Sequence, residues 1–269
     1  MTDALGFDRD PDFIRRSQRL LELYASYFDA EVRGFEHLPE KGPFLVVGNH
    51  SGGAMAPDLP ILLTAWWRER GIEEPVYGLF HSFFMGMPGV GPAVSKAGAI
   101  EARSENVQRV LEGGGVVIVF PGGDHEAYRP WHRRNEIDFA GRTGFVKEAL
   151  QHQVPIIPSV SHGVQDGTVV LYRGERLAKA LPYMRNWRLK VYPVMIGPPW
   201  GISLGLPAFP LPTKATVQLC EPIDLTDGGQ VGPEAADDDE VVQAGYDLVT
   251  STMQQVLDGL VEERKAARR

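Results

Sequence analysis

The sequence predicts an α/β protein: a single layered domain with a mixed, largely parallel sheet flanked by helices. Short runs of apolar, often β-branched residues alternate along the chain with segments in which apolar residues recur at helical spacing. Most of the apolar runs end in glycine or proline, where a strand gives way to a loop. With 269 residues, 43% of them hydrophobic, the chain is long enough to bury a sizeable core. This alternation is typical of layered α/β domains.

The predicted elements follow one another closely. Strands are expected at residues 44–47, 76–79, 116–120, 155–160 and 216–219, where short runs rich in Val, Ile and Leu occur. Helices are expected at residues 12–33, 58–70, 106–112, 143–152 and 240–268, from the helical spacing of their apolar residues. Residues 182–212, which include the stretch from Trp187 to Leu211, are rich in proline and large apolar side chains. Because proline lacks a backbone donor, this stretch is expected to form neither a regular helix nor a central strand.

The N-terminal part, residues 1–33, is expected to be an amphipathic helix. Its apolar face comprises Ile14, Leu20, Leu21, Tyr24, Tyr27, Phe28 and Val32, and three arginines, Arg15, Arg16 and Arg19, lie near its start. Two interpretations remain open: the helix packs on the core, or it lies on a membrane with aromatic and basic residues facing lipid. No stretch reaches the ~20 apolar residues that span a bilayer, and residues 1–11 lack the apolar core of a signal peptide.

The charge of the chain is unevenly distributed. Its net charge is −8, and seven acidic residues but no Lys or Arg lie between Asp224 and Glu240. The acidity therefore belongs to one surface loop, which argues against nucleic acid as a partner. Residues 226–269 are expected to form this acidic loop and a C-terminal helix packed on the same domain. Cys220 is the only cysteine, so no disulfide forms within the chain, as in a reducing compartment; we interpret it as a buried strand residue.

A histidine stands where the first clear strand ends. The apolar run 44–47 is followed by Gly48, Asn49 and His50, and two glycines come soon after. Seven residues then separate His50 from Asp58. A neutral imidazole held by a carboxylate takes a proton from a hydroxyl near neutral pH. The alternative is a strand that ends in an ordinary turn, with His50 as its cap.

Three further blocks join an apolar strand to a glycine- or proline-defined loop. They lie at residues 98–103 (Gly-Ala-Ile-Glu-Ala-Arg), 120–126 (Phe-Pro-Gly-Gly-Asp-His-Glu) and 154–158 (Val-Pro-Ile-Ile-Pro). With His50 and Asp58, their order and spacing resemble the glycerolipid acyltransferase superfamily, the lysophosphatidic acid acyltransferase-like proteins. The resemblance covers residues 34–225, which it implies are the acyltransferase catalytic domain.

The chain departs from the family pattern in two places. The family separates its His and Asp by four residues rather than seven, so the loop after His50 must bulge. The family's third block is Phe-Pro-Glu-Gly-Thr-Arg, and its acidic residue and arginine fall on Gly122 and His125. The Pro-Gly-Gly…Glu block and residues 141–145 (Gly-Arg-Thr-Gly-Phe) look more like the diacylglycerol acyltransferase branch, which points to an acceptor other than a simple glycerol phosphate.

The resemblance implies roles for individual residues. His50 would be the general base and Asp58 would orient its ring. These two residues are the catalytic candidates. Asn49 and the backbone around Gly122 and Gly123 would contact substrate, the glycines next to the oxyanion. Arg103 would bind a phosphate. Asp124 and Glu126 would bind acceptor hydroxyls, or else cap the following segment. No metal site is expected, since Asp124, His125 and Glu126 are adjacent and point in divergent directions.

The function expected from these residues is transfer of a fatty acyl group from acyl-CoA to a hydroxyl of a glycerolipid-type acceptor. Acyl-CoA is then a co-substrate, no cofactor is needed, and the partners are a lipid alcohol and a membrane surface. The expected location is cytoplasmic, peripheral on the cytoplasmic face of a membrane. The alternatives are a lysophosphatidic acid acyltransferase and a lipid-binding protein without catalysis. Residues 201–205 match a serine hydrolase pattern, but the prolines around them support neither the strand nor the helix that pattern requires.

Overall fold

The computed structural model describes residues 3–181, 190–206 and 208–267. Seven strands form the main sheet: β1 (Glu31–Arg33), β2 (Phe44–Gly48), β3 (Val76–Phe80), β4 (Ala99–Glu101), β5 (Val116–Val119), β6 (Ile156–His162) and β10 (Thr216–Leu219). A second sheet consists of β7 (Val169–Tyr172), β8 (Val194–Gly197) and β9 (Gly201–Leu204). The main sheet has the order β1-β10-β6-β2-β5-β3-β4, and only the β10–β6 pair is antiparallel. The predicted mixed, largely parallel sheet is confirmed.

Helices cover both faces of the main sheet. They are α1 (Pro11–Ser26), α2 (Asp58–Arg70), α3 (Ser82–Met85), α4 (Val90–Lys96), α5 (Ser104–Glu112), α6 (Gly123–Ala127), α7 (Gly144–His152), α8 (Glu175–Ala180) and α9 (Asp239–Ala267). Helix α2 begins and ends at the predicted residues. The long helix α9 packs against α7 and β6, and a 3-10 turn at Pro233–Asp237, in the acidic segment, lies against α7.

Strand β2 lies near the middle of the sheet and contributes to both cores. Its residues alternate: Leu45 and Val47 pack with α5, α7 and α9, whereas Phe44 and Val46 pack with Trp66 of α2. A strand buried on both faces needs apolar residues throughout, and all five residues of β2 are buried. Its two neighbours, β5 and β6, run parallel to it, so the carboxyl ends of all three strands meet at one edge.

The predicted N-terminal helix is too long by seven residues. Helix α1 ends at Ser26, Asp29 takes a positive φ of 41°, and residues 31–33 form β1 instead. Strand β1 pairs in parallel with β10, almost two hundred residues away in sequence, and local periodicity carries no information about such a pairing. Of the residues placed on its apolar face, Phe28 is buried in the core, whereas Leu20 and Tyr27 are exposed.

The expectation that residues 182–212 hold no central strand is wrong. Strand β8 lies between β7 and β9 in the second sheet, antiparallel to both. The prolines flank the strands: Pro193 precedes β8, and Pro198 and Pro199 form the turn into β9. Residues 182–189 and 207, which belong to the same predicted stretch, lie outside the described residues. Within residues 201–205, Ser203 is a buried strand residue that donates to the Leu206 carbonyl, so it is not placed as a nucleophile.

Candidate active site

The site starts from Asn49, the first residue beyond β2. Its side-chain amide bridges to the neighbouring strand, because Nδ2 donates to the Ser161 carbonyl at 2.9 Å and Oδ1 accepts from the Ser161 amide at 2.7 Å. Asn49 is buried, so its side chain extends the pairing of β2 with β6 past the end of the strand. This placement gives Asn49 a structural role, and both polar atoms of its buried side chain are engaged with Ser161, so the substrate contact that was expected is not supported.

His50 and Asp58 meet despite the long tether between them. His50 Nδ1 lies 3.2 Å from Asp58 Oδ2. The intervening loop bulges through a 3-10 turn at Gly53–Met55, and Gly52, Gly53 and Ala56 all have positive φ. Glycine adopts this backbone without strain, which explains the glycine pair after the histidine. The loop therefore brings the ring and the carboxylate together, as the predicted general base requires.

Asp58 is the first residue of α2 and is almost fully buried. Its Oδ2 also accepts from the Ser51 amide at 2.6 Å, and its Oδ1 accepts from Ser161 Oγ at 2.7 Å. The N-terminal end of a helix favours a negative charge, and these donors satisfy a carboxylate. A carboxylate acceptor places the imidazole proton on His50 Nδ1 and leaves Nε2 free to accept one. The ring also packs against Phe120, with centroids 4.8 Å apart.

Glu126 lies beneath the histidine rather than in an open cleft. The side chain of Glu126 is fully buried; its Oε2 accepts from the His50 amide at 2.9 Å, and its Oε1 pairs with Arg129 at 3.1 Å. Burial raises the pKa of Glu126 to about 7, although Arg129 opposes that shift. Both oxygens are engaged within the protein, so the expected direct contact with an acceptor hydroxyl is not supported.

The glycine pair after β5 makes room for two side chains. A Cβ on Gly122 would lie 2.4 Å from Glu126 Oε2, and a Cβ on Gly123 would lie 2.8 Å from Arg142 Nη1. Arg142 donates to the carbonyls of Pro121 and Gly122 and pairs with Asp124 at 3.0 Å. The Gly123 amide already donates to the Phe120 carbonyl, so it is not free for the oxyanion. Asp124 thus holds the loop through Arg142.

Arg103 lies apart from the histidine. It directly precedes α5, beyond the carboxyl end of the edge strand β4, and three strand spacings separate β4 from β2, or about 14 Å. Its Nε pairs with Glu101 at 2.9 Å, and its side chain is 63% exposed. An open cavity of about 500 Å³ lies there, lined in part by His81, Ser82 and Arg103. The structure therefore does not bring Arg103 to the His50–Asp58 pair.

The remaining candidates are held by the protein itself. His125 Nε2 lies 2.9 Å from Asp138 and its Nδ1 lies 2.9 Å from Arg173, which makes it part of a hydrogen-bonded network. Within residues 3–181, 190–206 and 208–267, no cluster of His, Cys, Asp or Glu has the geometry to hold a metal ion. Burial raises the pKa of Cys220 to about 11, which makes its thiol a poor nucleophile.

Sequence reasoning missed three residues that shape the site: Ser161, Arg129 and Arg142. Ser161 follows an apolar run and looks like the polar end of a strand. Arg129 opens a stretch rich in basic residues, 129–134, which is typical of a solvated surface, yet its side chain is only 4% exposed. The one available signal was the Gly-Arg-Thr-Gly-Phe segment at residues 141–145, which was noted without a role for Arg142.

Comparison with known proteins identifies a matching family model and related sequences. A family model described as Acyltransferase matches residues 29–162. An uncharacterised protein of Mycobacterium leprae is 33% identical over 267 residues, which cover 98% of this chain and 68% of that protein. The DGAT1/2-independent enzyme synthesizing storage lipids of Bos taurus is 29% identical over 137 residues, covering 51% of this chain and 40% of that protein.

A solved structure shares the fold. The crystal structure of the 1-acyl-sn-glycerophosphate (LPA) acyltransferase PlsC from Thermotoga maritima matches with a TM-score of 0.50 and 16% sequence identity, over 90% of this chain and 82% of that one. The family model covers both His50 and Asp58, the two residues that the bulged loop brings together. The chain is therefore a member of the acyltransferase family, within the glycerolipid acyltransferase superfamily.

Proposed function

We propose that this acyltransferase moves a fatty acyl group from acyl-CoA to a hydroxyl of a glycerolipid-type acceptor, with His50 as the general base. The observation that carries the proposal is the contact of His50 Nδ1 with buried Asp58, next to the carboxyl ends of β2, β5 and β6. Ligands of open α/β sheets bind beyond this end of the strands. A base held in one tautomer at that edge suits proton abstraction from an alcohol.

The proposed reaction needs no group beyond the two substrates. His50 Nε2 takes the proton of the acceptor hydroxyl as its oxygen attacks the thioester carbonyl carbon. The tetrahedral intermediate collapses, the carbon–sulfur bond breaks, and the imidazolium returns the proton to the leaving sulfur. Asp58 stabilises the imidazolium while it exists. General-base assistance of this kind is worth about 10²–10⁴-fold in rate.

We propose an acceptor without a phosphate group. Two observations support this choice over lysophosphatidic acid. Arg103, the predicted phosphate ligand, pairs with Glu101 at the far edge of the sheet. The third block carries Gly122 where the phosphate-using members have an acidic residue. One relative of this chain is named for the synthesis of storage lipids. Monoacylglycerol and diacylglycerol are the acceptors of this kind.

The proposed lipid partners require access to a membrane surface. No helix among the described residues has the length and apolar character to cross a bilayer. Large apolar side chains are nevertheless exposed on α1 and just after it, and on β9 and the residues on either side of it: Leu20, Leu23, Tyr27, Trp200, Ile202, Leu204, Leu206, Phe209 and Leu211. We call these nine residues the apolar surface. Exposed apolar patches of this extent mark interaction sites.

The two halves of the apolar surface meet, and the half on α1 contacts the loop that carries the candidate base. Tyr27, the residue that follows α1, donates to the Pro210 carbonyl at 3.1 Å, which joins the end of the helix to the segment after β9. Tyr24 donates to the Met55 carbonyl in the loop between His50 and Asp58. Because α1 touches the loop that carries the base, docking of the apolar surface on a bilayer would bring a lipid hydroxyl close to His50. We therefore propose that the apolar surface docks on a membrane.

The proposal is tested with purified protein and labelled palmitoyl-CoA. The acceptors are monoacylglycerol, diacylglycerol and lysophosphatidic acid, each presented in phospholipid vesicles. We expect labelled product from an acceptor without phosphate, and its loss in His50→Ala. His37→Ala is the matched control, since His37 pairs with Glu221 at the opposite edge of the sheet. Product from lysophosphatidic acid alone would overturn the acceptor, and full activity in His50→Ala would overturn the base.

A further inference from the structure

The peptide group of His50 is held from both sides by one buried ion pair. Glu126 Oε2 accepts from the His50 amide at 2.9 Å, and Arg129 Nη2 donates to the His50 carbonyl at 3.1 Å. We propose that Glu126, together with Arg129, is a positioning residue that fixes the backbone of His50 and through it the direction of the imidazole. This inference rests on the proposed function, because it assigns a role towards the same general base.

The geometry assigns the pair to the protein and not to substrate. Glu126 Oε1 accepts from Arg129 at 3.1 Å and from the Asp138 amide at 3.4 Å, so each carboxylate oxygen has a protein donor. Arg129 Nη1 donates to the carbonyls of Arg134 and Glu136. The side chains of Glu126 and Arg129 are 0% and 4% exposed. Both groups are therefore closed off from solvent.

Stability alone does not account for a charged pair at this position. Replacing a buried ion pair by apolar side chains of similar volume is often neutral or stabilising, because desolvation of the two charges offsets their attraction. At Glu126 the effect of burial on the pKa outweighs the opposite effect of Arg129, because the pKa is raised to about 7. The pair does supply an acceptor for the N–H and a donor for the C=O of one peptide group, and hydrogen bonds that involve charged groups are the stronger ones.

Gly122, the residue before α6, makes the contact between Glu126 and the His50 amide possible. A Cβ at Gly122 would lie 2.4 Å from both Glu126 Cβ and Glu126 Oε2, so only glycine lets this carboxylate reach the His50 amide. The Pro-Gly-Gly-Asp-His-Glu block thus brings an acidic side chain under the base. The family pattern has its acidic residue two positions after the Phe of this block, whereas here that position is Gly122.

A shift of the His50 backbone would affect catalysis because it would move the attached imidazole ring. His50 Nδ1 lies 3.2 Å from Asp58, and Phe120 packs against the ring. A displaced peptide group would carry the imidazole away from Asp58 and from the acceptor hydroxyl. Misplacement of a reacting group by about 1 Å costs on the order of 10²-fold in rate.

The test compares variants that keep or remove the hydrogen bonds of Glu126 and Arg129 to the His50 peptide group. Glu126→Gln keeps an oxygen at the same place, so its kcat should stay within about tenfold of the wild type. Glu126→Leu combined with Arg129→Met removes both charges together and leaves no unpaired buried charge. We expect that double variant to fold and to lose about 10²-fold in kcat, with KM for palmitoyl-CoA within about threefold.

A second readout does not depend on activity. Hydrogen exchange of the His50 amide should be fast in Glu126→Leu/Arg129→Met and as slow as in the wild type in Glu126→Gln. The control is Glu74→Leu/Arg70→Met, another partly buried pair, 2.5 Å apart and remote from His50, which should change neither readout. If the first double variant does not fold, Glu126→Gln/Arg129→Met replaces it. A kcat of this variant equal to that of Glu126→Gln would contradict the proposed role of the hydrogen bond from Arg129 to the His50 carbonyl.

Two results overturn the inference. One is an unchanged exchange rate of the His50 amide in the folded double variant. The other is a loss confined to KM, which would make Glu126 a substrate ligand. Absence of acyl transfer by the wild type with every acceptor would instead refute the proposed function, and the exchange experiment would still decide the role of Glu126.

Discussion

Ser161 Oγ donates a 2.7 Å hydrogen bond to Asp58 Oδ1, although 103 positions separate the two residues in sequence. Ser161 lies on β6 and Asp58 opens α2, so this bond ties the orienting carboxylate to the central sheet. The Ser51 amide holds the other oxygen of the carboxylate, and His50 Nδ1 lies 3.2 Å from that oxygen. Asp58 is thus held on three sides, which limits the directions in which the imidazole can point.

The first prediction concerns this bond. Ser161→Ala should lower kcat about tenfold with little change in KM, because Asp58 keeps two of its three contacts. Loss of a buried hydrogen bond to a charged group should also lower the free energy of unfolding by about 1.5–3 kcal/mol. Steady-state kinetics and chemical denaturation measure the two effects. Ser159→Ala, on the same strand, is the control, and equal losses in both variants would contradict a specific role for Ser161.

The second prediction concerns Asp58 itself. Asp58→Asn keeps the shape of the side chain but removes the charge that favours a proton on His50 Nδ1 and stabilises the imidazolium. We expect kcat to fall by up to about 10⁴-fold, the loss seen when the aspartate of a Ser-His-Asp triad is replaced by asparagine. Kinetics together with the ¹⁵N chemical shifts of the His50 ring would measure the effect. An unchanged tautomer with full activity would show that Asp58 only supports the loop.

Much of the fold could be predicted because its elements are local and strongly patterned. The apolar run of β2 and the periodicity of α2 are visible in any short window, and both lie where they were expected. Strand β1 was missed because its three residues are recognisable only through their pairing with β10. Strands β8 and β9 were missed because their prolines suggested irregular structure, whereas those prolines flank the strands.

The sequence predicted those residues of the site whose role follows from their chemical type alone. His50 and Asp58 were identified from a base and a carboxylate after a strand, and the loop of seven residues still brings them together. Asp124 and Glu126 were expected to bind acceptor hydroxyls or to cap the following segment. Their contacts with the His50 amide and with Arg142 depend on packing between distant segments, which a single sequence does not reveal.

The third prediction is a pH dependence of stability that belongs to Glu126. Burial raises its pKa to about 7, so the folded chain holds a proton between about pH 4.5 and 7 that the unfolded chain has released. The stability contributed by the neutral carboxyl is therefore present at low pH and lost as the pH rises through about 7. The slope is at most about 1.4 kcal/mol per pH unit.

Chemical denaturation at pH 5, 6, 7 and 8 measures this contribution. The wild type should gain stability relative to Glu126→Gln as the pH falls, because glutamine does not titrate. Glu69→Gln is the control, since Glu69 is half exposed and removing its charge should give a nearly constant difference. A constant difference between the wild type and Glu126→Gln across this range would show that Glu126 stays ionised in the folded chain.

The fourth prediction concerns the aliphatic part of the apolar surface. Ile202 and Leu204 alternate with buried Ser203 on β9, so both point outward from the second sheet. Ile202→Ser/Leu204→Ser should reduce binding to phospholipid vesicles at least tenfold, because each side chain contributes about 1.5–3 kcal/mol when it leaves water. Vesicle sedimentation measures binding, and the circular dichroism spectrum should be unchanged. Equal binding by the variant would exclude β9 from the membrane contact.

The fifth prediction concerns charge at the edge of the same surface. Arg16 and Arg19 are exposed and lie close to Leu20 and Leu23 on the helical face of α1. Each arginine near an anionic bilayer contributes about 1 kcal/mol, so Arg16→Gln/Arg19→Gln should weaken binding to vesicles rich in phosphatidylglycerol by roughly thirtyfold at low salt. Binding to phosphatidylcholine vesicles should not change, and salt should remove the difference between the two proteins. Arg68→Gln, an exposed arginine on α2, is the control. A variant that binds anionic vesicles as the wild type does would show that α1 faces away from the lipid.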